Sequence, residues 1–211
     1  MRKLVSRILV AGCLAAPMLA NAVVYQFNAN LNGANEVNSS GTLGPGGPGS
    51  GVATLFYDTL NTGSLLDDTY SFSMAVFGLS GGAGGKAANA YHIHGAASTT
   101  ENSPVRVSLD ASPFISLNTG STLLVGGSGV AVPTIGASAG TPNVGYLAMS
   151  FLDMLQGSLA YVNVHTTANP GGAVRGQLLQ VAVVPEPETY ALMLAGLGLI
   201  GVIAKRRKPA A

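Results

Sequence analysis

Alternation of apolar and small side chains over Tyr70–Phe77 restricts most strongly what this chain can fold into. Phe72, Met74 and Val76 fall on one side of an extended chain, and the serines and alanine between them fall on the other. This period of two is typical of a half-buried antiparallel strand. Glycine- and proline-rich turns separate it from six other β-prone runs, at residues 52–57, 90–94, 105–109, 129–132, 161–166 and 174–181. The pattern predicts an all-β fold, an antiparallel β-sandwich with Greek-key-like connections, in which residues 147–156 form the one short helix.

Composition narrows the class of protein further. The chain has 29 glycines, no tryptophan and only 9% charged residues, which suits many tight turns better than a disordered chain. Residues 23–183 hold three cations and seven anions, a net charge of −4, so nucleic acid is not expected as a partner. The single cysteine, Cys13, lies near the start, which leaves the later domain without a disulfide.

The first 22 residues have the pattern of a secretory signal peptide. A basic start at residues 2–7 precedes an apolar run at 8–19, and Ala20 and Ala22 place small residues where signal peptidase reads them. The pattern predicts export and cleavage after Ala22. A lipidation site at Cys13 is the alternative, but it would leave an apolar stretch shorter than such signals usually have.

The last 28 residues, 184–211, form a second processing segment. Pro185, Glu186 and Pro187 precede an apolar run at 190–204, which is predicted to be a single transmembrane helix. A cluster of four cations follows it, namely Lys205, Arg206, Arg207 and Lys208. Such a cluster should remain on the cytoplasmic side and anchor the helix, which leaves the domain outside. A buried core helix, the alternative, seldom ends in four consecutive cations.

This tail resembles the PEP-CTERM sorting signal, with Pro185-Glu186-Pro187 at the position of the family's motif. The resemblance implies processing by the membrane transpeptidase exosortase after transient attachment to the membrane. It also implies release to the cell surface or the extracellular polymer.

Three histidines are the strongest candidates for chemistry in the predicted domain, residues 23–183. His92 and His94 are two apart on a predicted strand, so both imidazoles project from the same face. His165 ends another predicted strand, on the same side as Asn163. If the two strands meet, three imidazoles could hold copper or zinc with one position open. Alternatively, the rings hydrogen-bond to loop backbone and brace the fold.

Arg175 follows the turn formed by residues 169–172 and is one of three cations in the domain. Its guanidinium is expected either to pair with a carboxylate such as Glu36 or to present itself to an anion.

Four blocks of the domain resemble the CHRD family in the family's order, at residues 31–37, 90–95, 161–166 and 171–178. Departures occur at Asn38 and Ser39, where the family usually has prolines, and at Ala173, where it usually has an acidic residue. The resemblance implies an extracellular binding role rather than catalysis. The domain is also similar to copper/zinc superoxide dismutase, which implies His92, His94 and His165 as copper ligands and Arg175 as the anion guide. The zinc-loop histidines and the disulfide of that family are missing.

Two functions follow as hypotheses. The first is an exported, non-enzymatic surface or matrix module that contacts extracellular polysaccharide or surface proteins. The second is a copper- or zinc-binding protein with a superoxide-dismutase-like three-histidine site. Ring nitrogens within about 4–5 Å of one another would favour the second, given metal–nitrogen bonds of roughly 2 Å. Glycoside hydrolysis needs two facing carboxylates and ranks below both.

Overall fold

The computed structural model describes residues 22–60, 62, 64–133, 149–181, 193–200 and 203. Ten strands, one α-helix and two 3₁₀ helices, at Gly33–Asn35 and Ala83–Gly85, make up the described domain. The strands are β1 (Val24–Asn32), β2 (Ser50–Asp58), β3 (Thr69–Phe77), β4 (Ala90–His94), β5 (Val105–Ser108), β6 (Ile115–Thr119), β7 (Thr122–Ala131), β8 (Tyr161–His165), β9 (Val174–Gln177) and β10 (Leu179–Gln180). The helix α1 spans Phe151–Gln156.

All described strand pairs are antiparallel, which confirms the predicted all-β class. The strands join one sheet in the order β5-β4-β8-β9-β1-β2-β3-β7-β6, and β10 also pairs with β1. The sequence predicts two packed sheets, whereas the described strands form one strand-rich, curled sheet resembling half a barrel. Curling lets one sheet enclose a core that two flat sheets would otherwise share.

The core lies on the concave side of this sheet. Along β1, β2 and β3, every second residue is buried, as the period of two requires. Residues from both ends of the sheet belong to one continuous apolar cluster, among them Phe27, Leu55, Phe72, Ile93, Leu123, Val162 and Val174. Helix α1 adds Phe151, whose ring lies 5.4 Å from that of Tyr70. A single core therefore supports the strands that carry the histidines.

Helix α1 begins at Phe151, later than the predicted start at residue 147, and residues 134–148 lie outside the described part. A capping box defines its start, because Ser150 Oγ accepts a hydrogen bond from Asp153 N at 3.0 Å. β1 and β6 were not predicted. In β1, amides alternate with the buried residues, and amides disfavour strands, so the propensity signal was weak.

The C-terminal segment forms a second unit, separate from the sheet domain. Residues 193–200 and 203 are helical and lie within the predicted helix at 190–204. Among the described residues, no helix has the length and apolar character needed to cross a membrane. The predicted signal peptide up to Asn21, the Pro185–Pro187 motif and the basic cluster at 205–208 lie outside the described residues.

Candidate metal centre

Strands β4, β8 and β9 carry a polar face on the side opposite the core. We use this name for His92, His94, Tyr161, Asn163, His165, Arg175 and Gln177. The alternation that sends Tyr91 and Ile93 into the core sends His92 and His94 to this face. The loop before β2 contacts this face through Glu36, which accepts from Asn163 Nδ2, and the loop before β5 contacts it through Ser98 O, which accepts from Arg175. The two loops also join each other, since Asn102 Nδ2 donates to Val37 O at 3.0 Å.

Strand pairing brings the three histidines together. His92 lies directly opposite Asn163, and His165 lies opposite Ala90, so both strands direct their imidazoles to one side. The centroids of the His92 and His165 rings are 5.4 Å apart, and those of His94 and His165 are 6.0 Å apart. One ring nitrogen from each histidine lies within 4.8 Å of the other two. Two metal–nitrogen bonds of about 2 Å each span at most about 4 Å, so a shared ion would require the three nitrogens to draw slightly closer together.

Backbone carbonyls determine which nitrogen of two of the rings carries the proton. His94 Nδ1 lies 2.8 Å from Ser103 O, and His165 Nδ1 lies 3.0 Å from Pro170 O. A carbonyl only accepts hydrogen bonds, so Nδ1 is the protonated nitrogen in both rings and Nε2 keeps its lone pair. Both Nε2 atoms are buried without a hydrogen-bond partner.

His92 has the opposite arrangement. Its Nδ1 is buried without a partner, while its Nε2 lies 4.0 Å from Asp110 Oδ2. A carboxylate beside one nitrogen favours the proton there and leaves the other nitrogen bare. The three rings thus offer one Nδ1 and two Nε2 atoms, and buried polar atoms without partners call for an explanation.

Burial also keeps the imidazoles uncharged. Desolvation lowers the pKa of His94 to about 4, and the same cause lowers the pKa of His92 and of His165. Repulsion from His165 adds to the lowering for His92, and Asp110 opposes it. Neutral imidazole is the form that binds metal ions, so the rings are in the binding form at neutral pH.

Arg175 and Glu36 lie on the same polar side but are not joined by a described ion pair. Arg175 is 1% exposed, and its guanidinium donates to Ser98 O and Glu101 O, both at 2.9 Å. Glu36 instead accepts from Asn163 Nδ2 at 3.3 Å. Burial raises the pKa of Glu36 to about 7, although the charge of Arg175 works in the other direction. Arg175 therefore donates its hydrogen bonds to the loop before β5, and its roles as a partner of Glu36 or of an anion stay predictions.

Glu36 occupies a narrow slot formed by glycines. A Cβ atom on Gly172 would lie 2.2 Å from Glu36 Oε2, and a Cβ on Gly46 would lie 2.6 Å from Glu36 Cγ. Gly172 also has φ +148°, which side chains seldom adopt. Gly172 of the 169–172 turn is therefore explained by the carboxyl group that packs on it, whereas a Cβ atom on Gly171 would meet open space.

Sequence reasoning missed several residues of this centre. Tyr161 has a period-two signal, since it shares a face with Asn163 and His165, but its role depends on what packs above it. Asp110, Ser103 and Pro170 act through a loop carboxylate or backbone carbonyls, and no sequence pattern marks them. They reach the histidines through the pairing of β4 with β5 and through the loop paths.

The fold and the site together define an antiparallel β domain with a three-histidine cluster beneath loops. The CHRD domain model matches residues 27–178, and the chain belongs to the CHRD domain family. The PEP-CTERM protein-sorting motif matches residues 183–208, which marks a surface protein that exosortase processes after export. The predicted resemblances to the CHRD family and to the PEP-CTERM sorting signal are confirmed. No curated protein and no solved structure matches the chain.

Proposed function

We propose that this exosortase-sorted surface protein binds one copper or zinc ion through His92, His94 and His165. The observation that carries the proposal is the approach of three ring nitrogens to within 4.8 Å of one another. The alternative, that the histidines only brace the fold, explains why Nδ1 of His94 and of His165 hydrogen-bonds to a backbone carbonyl. It leaves unexplained why the remaining nitrogens are buried together without partners.

The donor set suits these two metals. Imidazole nitrogen is a ligand of intermediate softness that both copper and zinc accept, and three protein ligands leave a fourth position open. The side chain of His92 is 17% exposed, whereas His94 is 8% exposed, so we expect an ion to enter from the side of His92. The bound ion would supply a Lewis-acidic or, for copper, a redox-active centre. The chain's own residues hold it, keep the rings oriented and exclude bulk water.

The superoxide-dismutase-like reading of the site is narrower than this proposal. It requires Arg175 to guide an anion, but the guanidinium is buried and bonded to loop carbonyls. We therefore propose metal binding without dismutase activity. Contact with extracellular polysaccharide or surface proteins, which the CHRD resemblance implies, stays a prediction.

Metal content tests the proposal. The domain, residues 23–183, is offered copper and zinc separately, freed of excess metal and analysed for bound metal. We expect about one equivalent in the wild type, lost in the His92→Ala, His94→Ala double variant, because a lone imidazole binds far more weakly. Asp67→Ala, which removes an exposed carboxylate before β3, is the matched control and should keep the metal. Equal metal content in the wild type and the double variant, or none in either, would exclude this site.

A further inference from the structure

The ring of His94 is held in a stack of three planar groups. His94 and Tyr161 are directly opposite on β4 and β8, and their rings are 5.0 Å apart at an interplanar angle of 9°. Arg175 Cζ lies 3.5 Å from the centroid of the Tyr161 ring. Since β4 and β9 flank β8 on opposite sides, Tyr161 lies between the imidazole and the guanidinium. A guanidinium over a phenol ring is an attractive arrangement, stronger when desolvated.

The hydroxyl of Tyr161 also contacts Ser103, the residue whose carbonyl binds His94. It accepts a hydrogen bond from Ser103 N at 3.0 Å and donates to Ser103 O at 3.3 Å. Ser103 O is also the acceptor for His94 Nδ1. Tyr161 therefore contacts both the flat side of the imidazole and the carbonyl that determines its tautomer.

Arg175 binds the loop that carries the Ser103 carbonyl. Its guanidinium bonds Ser98 O, Glu101 O and, at 3.2 Å, Asn102 Oδ1. These three oxygens lie one to five residues before Ser103. The N–H groups of Arg175 therefore bind the loop, while the face of its guanidinium packs on the Tyr161 ring. Lysine carries the same charge but cannot form this fork or this stack.

We infer that Tyr161 and Arg175 are positioning residues that hold His94 with Nδ1 on the Ser103 carbonyl and Nε2 free for the ion. The inference rests on the proposed function, because holding His94 matters for binding only if Nε2 binds an ion. The contacts that hold the ring are present without a metal. Partners one step removed from a metal orient the ligands, and their loss typically lowers metal affinity about 10- to 100-fold. The inference also gives Arg175 a role in place of guiding an anion.

Two variants test the inference on the domain, residues 23–183. Tyr161→Phe keeps the ring and removes only the hydroxyl, so we expect copper or zinc affinity to fall about tenfold with one equivalent still bound. Arg175→Lys should cost more, up to about 100-fold, because it removes both the fork and the stack. Tyr25→Phe, a tyrosine of β1 outside the polar face, is the matched control and should leave metal affinity unchanged.

A second readout in the metal-free protein separates positioning from general stability. Nitrogen-15 NMR of the imidazoles should show His94 protonated on Nδ1 in the wild type and in Tyr25→Phe. In Tyr161→Phe that signal should shift or broaden, while the His165 signal, held by Pro170 O, stays in place. Unchanged affinity with an unchanged His94 signal in Tyr161→Phe would overturn the inference, as would equal disturbance of both histidines.

The two proposals fail in different ways. If the wild type binds neither metal, the proposed function is wrong, and the metal-free NMR comparison alone decides whether Tyr161 positions His94. If Arg175→Lys does not fold, Tyr161→Phe still decides the outcome, since it keeps the buried ring and its packing.

Discussion

The two faces of strands β4, β8 and β9 are buried in opposite ways. On the core side, Ile93, Val162 and Val164 are fully buried among other apolar groups, with no polar atom to satisfy. On the polar face, Arg175 is 1% exposed and makes hydrogen bonds with its guanidinium, whereas His94, which is 8% exposed, keeps Nε2 without a partner. A buried polar atom without a hydrogen-bond partner lowers the stability of the fold. The polar face therefore holds groups that folding alone does not require.

The largest effect is expected on the core side. Ile93→Ala should lower the free energy of unfolding by about 2–5 kcal/mol, since it leaves a cavity among residues that cannot relax freely. Urea denaturation measures the loss. At temperatures where the variant remains folded, it should bind metal with the same stoichiometry as the wild type. Loss of metal from a folded Ile93→Ala protein would show that the two faces are not independent.

A smaller effect should appear on the polar face as pH changes. The Glu36 carboxyl has a pKa of about 7 when folded, against 4.5 when unfolded, so the folded state binds more protons between these values. Its contribution to the free energy of unfolding should therefore fall as pH rises from about 4.5 to 7, by about 3 kcal/mol at most.

Glu36→Gln is the matched variant for this measurement, because it removes the ionisation and keeps the shape. The histidines oppose Glu36 in this window, since their pKa is lowered on folding and stability rises with pH through them. Denaturation curves at several pH values should therefore be compared as wild type minus variant. A difference that stays constant from pH 4.5 to 7.5 would contradict the buried, protonated state of Glu36.

The smallest effect is expected at the edge of the metal centre. Asp110 is 32% exposed and 4.0 Å from His92 Nε2, so solvent screens it partly. Asp110→Asn should weaken copper or zinc binding by about tenfold or less, and high salt should reduce the difference. Asp67→Asn serves as the control away from the cluster. If Asp110→Asn left the affinity unchanged at low salt, the carboxylate would have no role in orienting His92.

Prediction of the fold succeeded at β2, β3 and β4, each within two residues, and the period of two was clearest in β3. Alternation alone was not sufficient, because β1 alternates as strictly and was missed for its amides. β6 was missed, because its Ile115 and Leu117 are exposed and do not contrast with buried neighbours. The single curled sheet was also missed, since alternation identifies a buried face but not which strands enclose it.

The sequence by itself determined the all-β class, the family, the sorting signal and the shared face of His92 and His94. These follow from local spacing or from motifs that lie on consecutive residues. Only the tertiary structure decided that β8 pairs with β4, which brings His165 to the cluster. It also decided which ring nitrogens have no hydrogen-bond partner and that Arg175 binds the loop before β5. The partners in these contacts are largely backbone carbonyls, which every residue carries, so the chain's path through space alone selects them.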